Sequence, residues 1–545
     1  MIDDDEYNLS DFMFSRIVDF NKTAYSFHNH KVSYKDVQLK SQSIATSLLV
    51  NGVRPRDRVL LLLNDTPAFT MSFLAIIQIG AIPVPLNPRS KIKSIRHYLN
   101  DSGAVMIIGE PETIETMKSL SHISLHMLSI ITQDIYHSDN RELLNNNWFQ
   151  VPSLLLSDCC NSSPLTKYYN IPKNSTVFWQ YTSGTTGSPK AVMHKGTGMI
   201  KHTSMYAEKL LESSLDDIFY STAKFFFGYG LGNSFFFPFY LNATTILDDR
   251  WPTCETVLNN ICTFKPTRIF SAPIIYNQLL EYGEDISLAV HEDSRFVSAG
   301  SPLPGSLFNS WKYRHNIILL DGVGSTEMGH IYITNTASKA KAGVLISTVP
   351  EYDIKLVDKN NSSTNPTRGV LYIRGPSMSL GYYGLPDKNS EKYIDGWYSS
   401  GDVYTKDKNG YYTYIGREDD LFKIKGRWVS PLDIENYVLS NFNKIKATAL
   451  VSYTDEKEQV KSALFYVVDK DIDIHSDLTS EISKMILEGF ESHCLPSLYK
   501  KVSNLPINDN GKLMRQVLEN EIQSEIQTNL YNKNYIKNNI PISIQ

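Results

Sequence analysis

The stretch TVFWQYTSGTTGSPKAVMH, residues 176–194, concentrates groups suited to binding phosphate. An apolar β-type run leads into Thr182, Ser183, Gly184, Thr185, Thr186 and Gly187, then Ser188, Pro189 and Lys190, and a second β-type run follows. Glycine frees backbone N–H groups to converge, the hydroxyls add donors, and the lysine adds a positive charge. Those are the parts needed to wrap a polyphosphate. The spacing is not that of a Walker P-loop, GxxxxGK[ST], and no helix pattern starts at the lysine. On composition alone, a flexible Gly/Ser/Thr hairpin loop competes with the phosphate reading.

Such a loop needs a rigid frame. The 545 residues exceed what one hydrophobic core usually holds, so a large body with at least one further domain is expected. Ser33 precedes an amphipathic run through Val37, Ile44, Ala45, Leu48 and Leu49, with Asp36 placed for a capping box and Gly52 as a stop. RDRVLLLL predicts a buried strand, PAFTMSFLAIIQIGA a helix opened by Pro67, and IPVPLN the next strand. That order implies a parallel sheet covered by helices. Residues 110–170 show little pattern and read as loops and short helices. From 341 to 416, the runs YDIKLVD, GVLYIRG, GWYSSGDVYT and GYYTYIG are separated by turn signals and predict an antiparallel β unit. After GREDD, strands FKIKGRWV, ATALVSY and SALFYVV alternate with helices PLDIENYVLSN and SEISKMILEGFESH, the pattern of a separate α+β domain.

Composition excludes some functions. The formal net charge of −5 argues against a nucleic-acid partner held by overall charge. The acidic N-terminus lacks the order of a signal peptide, and no apolar run reaches the roughly 18 residues of a membrane helix, so no membrane association is expected. Cys159, Cys160, Cys254, Cys262 and Cys494 show no zinc spacing, and a reducing cytoplasm fits them.

YTSGTTGSPKAV resembles the signature loop of the adenylate-forming superfamily, which contains acyl-CoA synthetases, peptide-synthetase adenylation domains and luciferases. Further motifs similar to that family follow in order. In DGVGSTEMGHI, 321–331, the resemblance places adenine against the backbone of Asp321, Gly322, Val323 and Gly324, Thr326 at the α-phosphate, and Glu327 on magnesium. One carboxylate after a Gly–Ser–Thr turn suits a magnesium site completed by nucleotide oxygens and water. In GWYSSGDVYTKDKNGYYTYIGREDD it assigns Asp402 to the ribose hydroxyls, Arg417 to ribose and phosphate, and Asp419 to a hinge. In FKIKGRWVSPLDIE, Gly426 would let a pantetheine arm pass, and LPINDNGKLMR carries Lys512 in the position of the catalytic lysine. Gly300 would lie near the nucleotide. The implied architecture is α/β: a large N-terminal domain (1–416) of α/β subdomains plus a β-barrel-like subdomain, and a small mobile α+β C-terminal domain (417–524). Residues 525–545, rich in Asn and Lys, read as a disordered tail.

The implied chemistry uses ATP and Mg²⁺ to activate a carboxylic acid as acyl-AMP, with Lys190, Thr326, Glu327 and Lys512 as catalytic residues, and then coenzyme A as acceptor. KFFFGYGLGNSFFFPF looks most like the benzoate and aryl-CoA ligase branch, in which the positions of Gly228, Tyr229, Gly230, Ala299, His330 and Ile331 line the acid. An aromatic or similarly bulky acid follows. Gly228, where that branch commonly has alanine, suggests extra room. Phe225, Phe226 and Phe235 to Phe237 themselves read as core packing. Ala191 departs from the usual PKG continuation, and Ile346-Ser347 and Glu351 stand at or near glycines of the family's GxxGxPxPG pattern. Two alternatives stay open: a stand-alone enzyme loading the phosphopantetheine of an acyl or peptidyl carrier protein in trans, in secondary metabolism, and a non-catalytic nucleotide-binding paralogue. A homodimer is also left open.

Overall fold

The structure is a computed structural model that describes residues 5–117, 128–131, 153–182, 188–283, 286–358, 366–442, 444–468, 478–507 and 513–538. The expected opening helix spans Tyr34–Val50, and its Ser33–Asp36 capping box is formed in both directions. Strand Arg58–Leu62, helix Pro67–Gln78 with proline in its first turn, and strand Ile82–Pro85 follow as the sequence predicts. The two strands pair in parallel. Residues 110–170 hold more than loops: Leu128–Ile131 and Ser153–Leu155 complete this five-stranded parallel sheet.

A second, nine-stranded sheet forms the centre of the body. Its inner strands, from Thr23–Phe27 across to Leu319–Gly324, run parallel, and antiparallel strands close both edges. The antiparallel unit between Asp353 and Arg417 is a third, five-stranded sheet. The hairpin Phe178–Thr182/Lys190–His194 carries the glycine-rich loop between its strands.

The Phe run after Lys224 folds as short α- and π-helical turns over Gly228–Leu231, Gly232–Phe236 and Phe237–Leu241. Phe225, Phe235, Phe236 and Phe237 are fully buried in the main core, as the packing reading expects. The run is pinned at its start. Lys224 donates to the carbonyls of Asp248 (2.7 Å) and Arg250 (2.6 Å) and lies 3.9 Å from the buried Asp65 carboxylate.

FKIKGRWV is two strands, not one. Phe422–Ile424 and Arg427–Val429 pair across Lys425 and Gly426, whose φ values of 51° and 79° make a two-residue turn with both residues left-handed. The small C-terminal domain packs helices Pro431–Asn441 and Leu478–Gly489 on the sheet of Ile445–Thr454, Val460–Val468 and Leu498–Lys501. The tail region also differs from expectation. A helix runs from Arg515 to Asn538, so 525–538 are helical. Leu518, Ile522 and Ile526 recur every fourth residue and dock on the sheet face, which outweighs the polar composition.

Candidate active site

Lys190, at the start of a hairpin strand, and Glu327, in a turn beside the central sheet, meet through a residue that no motif flagged. The Tyr382 hydroxyl donates to Glu327 Oε1 at 2.7 Å, and Lys190 Nζ stands 5.0 Å from the centre of the same ring. Burial lowers the Lys190 pKa, and the Glu327 carboxylate partly restores it. Segment 380–383 holds Tyr382 there by backbone hydrogen bonds to Ala191 and Met193, with an isolated antiparallel bridge between Tyr382 and Val192. Ala191, the departure from PKG, is buried in the core cluster that holds Trp179. Thr182 ends the first strand of the hairpin; Ser183, Gly184, Thr185, Thr186 and Gly187, and also Lys512, lie outside the described residues.

Thr326 and Glu327 sit on a tight turn, Thr326–Met328, capped by Ser325. The Glu327 backbone carbonyl accepts from Ser379 N at 2.9 Å. The glycines just before it answer close packing. A Cβ on Gly322 would meet Ile331 at 2.6 Å, and one on Gly324 the His330 carbonyl at 2.5 Å. Val323 lies between them at the register shift of this strand pair. Gly300 adopts φ 92° beyond the end of the neighbouring strand, and Ala299 before it is buried.

Asp402 and Arg417 are direct cross-strand partners, and Arg417 Nη1 donates to Asp402 Oδ1 at 2.9 Å. Burial works against the Arg417 charge, but the Asp402 carboxylate outweighs it and the guanidinium is held more basic than usual. Asp419 lies in the turn that follows, where Asp420 and Leu421 bond back to the Arg417 carbonyl. Gly426 is at the tip of its hairpin with open space around it.

Tyr229 and His330, two of the residues expected around the acid, form an aromatic cluster with Phe237 of the core. The rings of Tyr229 and Phe237 stand 5.4 and 4.7 Å from that of His330, and His330 Nε2 is 3.0 Å from Asn233 Oδ1. Ile331 is buried beside them. Gly228 does not open extra room: a Cβ there would meet the Gly329 carbonyl at 2.7 Å and Gln180 Oε1 at 3.1 Å. Gly230 is likewise tight against the Lys224 carbonyl. Sequence reasoning missed Tyr382, His202, Tyr352 and Ser377, which no local spacing connects.

Asp321 lies within strand Leu319–Gly324, next to this cluster. Burial pushes its carboxyl up to about 7, against the pull of the Gly322 and Leu303 backbone N–H groups. The folded state therefore holds this proton between pH ~4 and ~7, where the unfolded chain has released it. Its contribution to stability is present at low pH and is lost as pH rises towards 7, at about 1.4 kcal/mol per pH unit. Asp321→Asn is expected to remove that slope. Melting curves of both proteins at pH 5, 6, 7 and 8 would show the variant gaining on the wild type as pH rises; parallel curves would contradict the assignment.

In the atypical segment, Ser347–Thr348 is the edge strand of the central sheet. Glu351 adopts φ 65° and pairs with Lys201 at the surface. Left-handed backbone costs a non-glycine residue about 1–2 kcal/mol, and a surface pair returns little. Glu351→Gly is expected to stabilise by about 0.5–1 kcal/mol, the strain relief less the entropy glycine loses on folding. A lower denaturant midpoint would show that the ion pair dominates.

Residues 18–383 match the family model of the AMP-binding enzyme. An anthranilate–CoA ligase of Pseudomonas aeruginosa is 32% identical over 94% of this chain and 96% of its own. A 4-hydroxybenzoate–CoA/benzoate–CoA ligase of Rhodopseudomonas palustris is 30% identical over 91% and 90%. Among solved structures, a benzoate CoA ligase of Burkholderia xenovorans superposes with a TM-score of 0.82 at 27% identity, covering 94% of this chain and all of that one. An anthranilate CoA ligase in complex with anthranoyl-AMP gives 0.84 at 25% identity, over 96% and 98%. With that match over most of its length, the chain belongs to the AMP-binding enzyme family.

Proposed function

We propose that this protein activates an aromatic carboxylic acid with ATP as an acyl-adenylate and transfers the acyl group to coenzyme A. The observation that carries this reading is the junction Lys190–Tyr382–Glu327, one residue pair away from the aromatic cluster at His330. Phosphate-binding charge and an aromatic acid site then share one turn of chain. Relatives named as ligases of anthranilate and hydroxybenzoate support the acid class.

The acid's carboxylate oxygen attacks the α-phosphorus of ATP and pyrophosphate leaves. Both reactants are anions, so alignment and charge neutralisation carry the step. Lys190 and the glycine-rich loop hold the leaving phosphates, Asp402 accepts from the ribose hydroxyls, and Lys512 spans the α-phosphate and the acyl oxygen. Glu327, with one oxygen held by Tyr382, fits a hard cation in the way a single carboxylate does when substrate phosphates complete the shell. Bound there, Mg²⁺ would neutralise phosphate charge. The small domain then turns about Asp419, withdrawing Lys512 and bringing Gly426 to the site. The thiol of CoA attacks the acyl carbonyl, and AMP leaves. A cytoplasmic setting fits the free cysteines, and among the described residues no helix is long and apolar enough to cross a membrane.

Hydroxylamine trapping of the adenylate across benzoate, hydroxybenzoates, aminobenzoates and aliphatic acids tests the first step without an acceptor. Aromatic acids are expected to dominate. A panel in which only aliphatic acids react, or none does, would sink the reading. Offering CoA and a pantetheinylated carrier protein side by side then identifies the acceptor.

A further inference from the structure

A directed chain of hydrogen bonds runs from the Glu327 turn to a histidine behind the aromatic cluster. Ser377 Oγ lies 2.5 Å from the Met328 carbonyl, which can only accept, so Ser377 spends its one proton there. Ser377 Oγ is also 2.5 Å from the Tyr352 hydroxyl, so Tyr352 must donate to it. With that proton committed, the 2.9 Å contact between Tyr352 and His202 requires His202 Nδ1 to be the donor. Each link fixes the next, and the end of the chain is a single tautomer of His202.

In a neutral imidazole protonated at Nδ1, Nε2 carries a lone pair. His202 is fully buried, and burial lowers its pKa to about 3, so it stays neutral at working pH. Its Nε2 has no hydrogen-bond partner among the described residues. Nε2 is on the ring edge turned away from Tyr352. The rings around the His202 imidazole, centre to centre, are Tyr206 at 5.5 Å, nearly parallel, His330 at 5.2 Å and Phe237 at 5.9 Å. His330 is a residue assigned to the acid, and Phe237 packs edge-on against it. A buried acceptor with no partner is costly unless something donates to it.

We propose that His202 Nε2 is a fixed hydrogen-bond acceptor at the inner wall of the acid site, and that it selects aromatic acids whose ring carries an N–H or O–H donor. This rests on the aromatic-acid reading above. A site built around such an acceptor penalises an arene that leaves it unmatched.

The test compares each hydroxybenzoate and aminobenzoate isomer with the fluorobenzoate of the same substitution, which is similar in size and lacks the donor. kcat/KM is read from hydroxamate formation. Wild type is expected to favour at least one donor-bearing isomer over its fluoro match by about 10-fold or more. His202→Phe keeps the ring and removes Nε2, and the ratio should fall towards 1 whatever happens to absolute rates. Tyr352→Phe removes the acceptor that fixes the tautomer and should lower the same ratio part of the way. A wild type without donor preference overturns the proposal, as does a ratio unchanged in both folded variants. Should His202→Phe fail to fold, the wild-type ratio and Tyr352→Phe decide. Activation of aromatic acids without donor preference leaves the parent reading standing. Failure of every aromatic acid overturns both.

Discussion

Lys512→Ala is expected to lower acyl-adenylate formation by about 10²–10³-fold, the usual loss when one preorganised charge is removed from a developing anion. Conversion of supplied acyl-AMP to the thioester should continue near the wild-type rate, because the proposed second step withdraws that lysine. The two half-reactions are separable by measuring pyrophosphate release from ATP and acid, and AMP release from synthetic acyl-AMP with CoA. Equal loss of both would contradict a domain that alternates between two poses. Lys190→Ala makes the control: it belongs to the static body and should depress adenylate formation without requiring any domain motion.

Arg515→Leu is expected to destabilise the small domain by about 3–5 kcal/mol. Arg515 opens the last helix and grips Glu435 with both nitrogens, at 2.6 and 2.7 Å, while also donating to the Leu450 carbonyl at 2.9 Å. Its Nε is 3.5 Å from Asp420, beside the hinge position. Removing the guanidinium leaves the buried Glu435 carboxylate without its counter-charge. Arg515→Lys keeps a charge but cannot match two oxygens at once and should recover only part of the loss. Denaturant unfolding followed by amide hydrogen exchange of residues 445–468 reports this domain. Because Arg515 stands three residues after Lys512, adenylate formation should fall as well, whereas Lys512→Ala should leave stability unchanged. An unaltered midpoint in Arg515→Leu would show that the bidentate pair adds nothing to the fold.

Local chemistry made part of this molecule readable. Ser33 and Asp36 announce a helix start because the capping partners are three residues apart. Pro67 marks another, and the glycine-rich string is flanked by the apolar strands that hold it. The turn at Lys425-Gly426 was equally local, since a left-handed pair divides FKIKGRWV into a hairpin, but the flanking alternation hid it. Strands Leu128–Ile131 and Ser153–Leu155 are too short to show a period and are recruited by the sheet edge they join. Tyr382 and Glu327 are 55 positions apart, and His202 and Tyr352 are 150 apart, so only the folded chain brings them together. Gly228 illustrates the opposite error. A missing side chain was read as space, and the backbone had already claimed it.

The strip at 380–383, hydrogen-bonded to Ala191 and Met193, is also a seal. It is the last part of the family match, and it covers the outer rim of the hairpin that bears Lys190. A shortened chain ending before it would present a bare row of peptide groups beside apolar Val192, the template on which strands of separate molecules join. Fragments of this enzyme trimmed at that point should therefore precipitate, and those reaching past residue 417 should not.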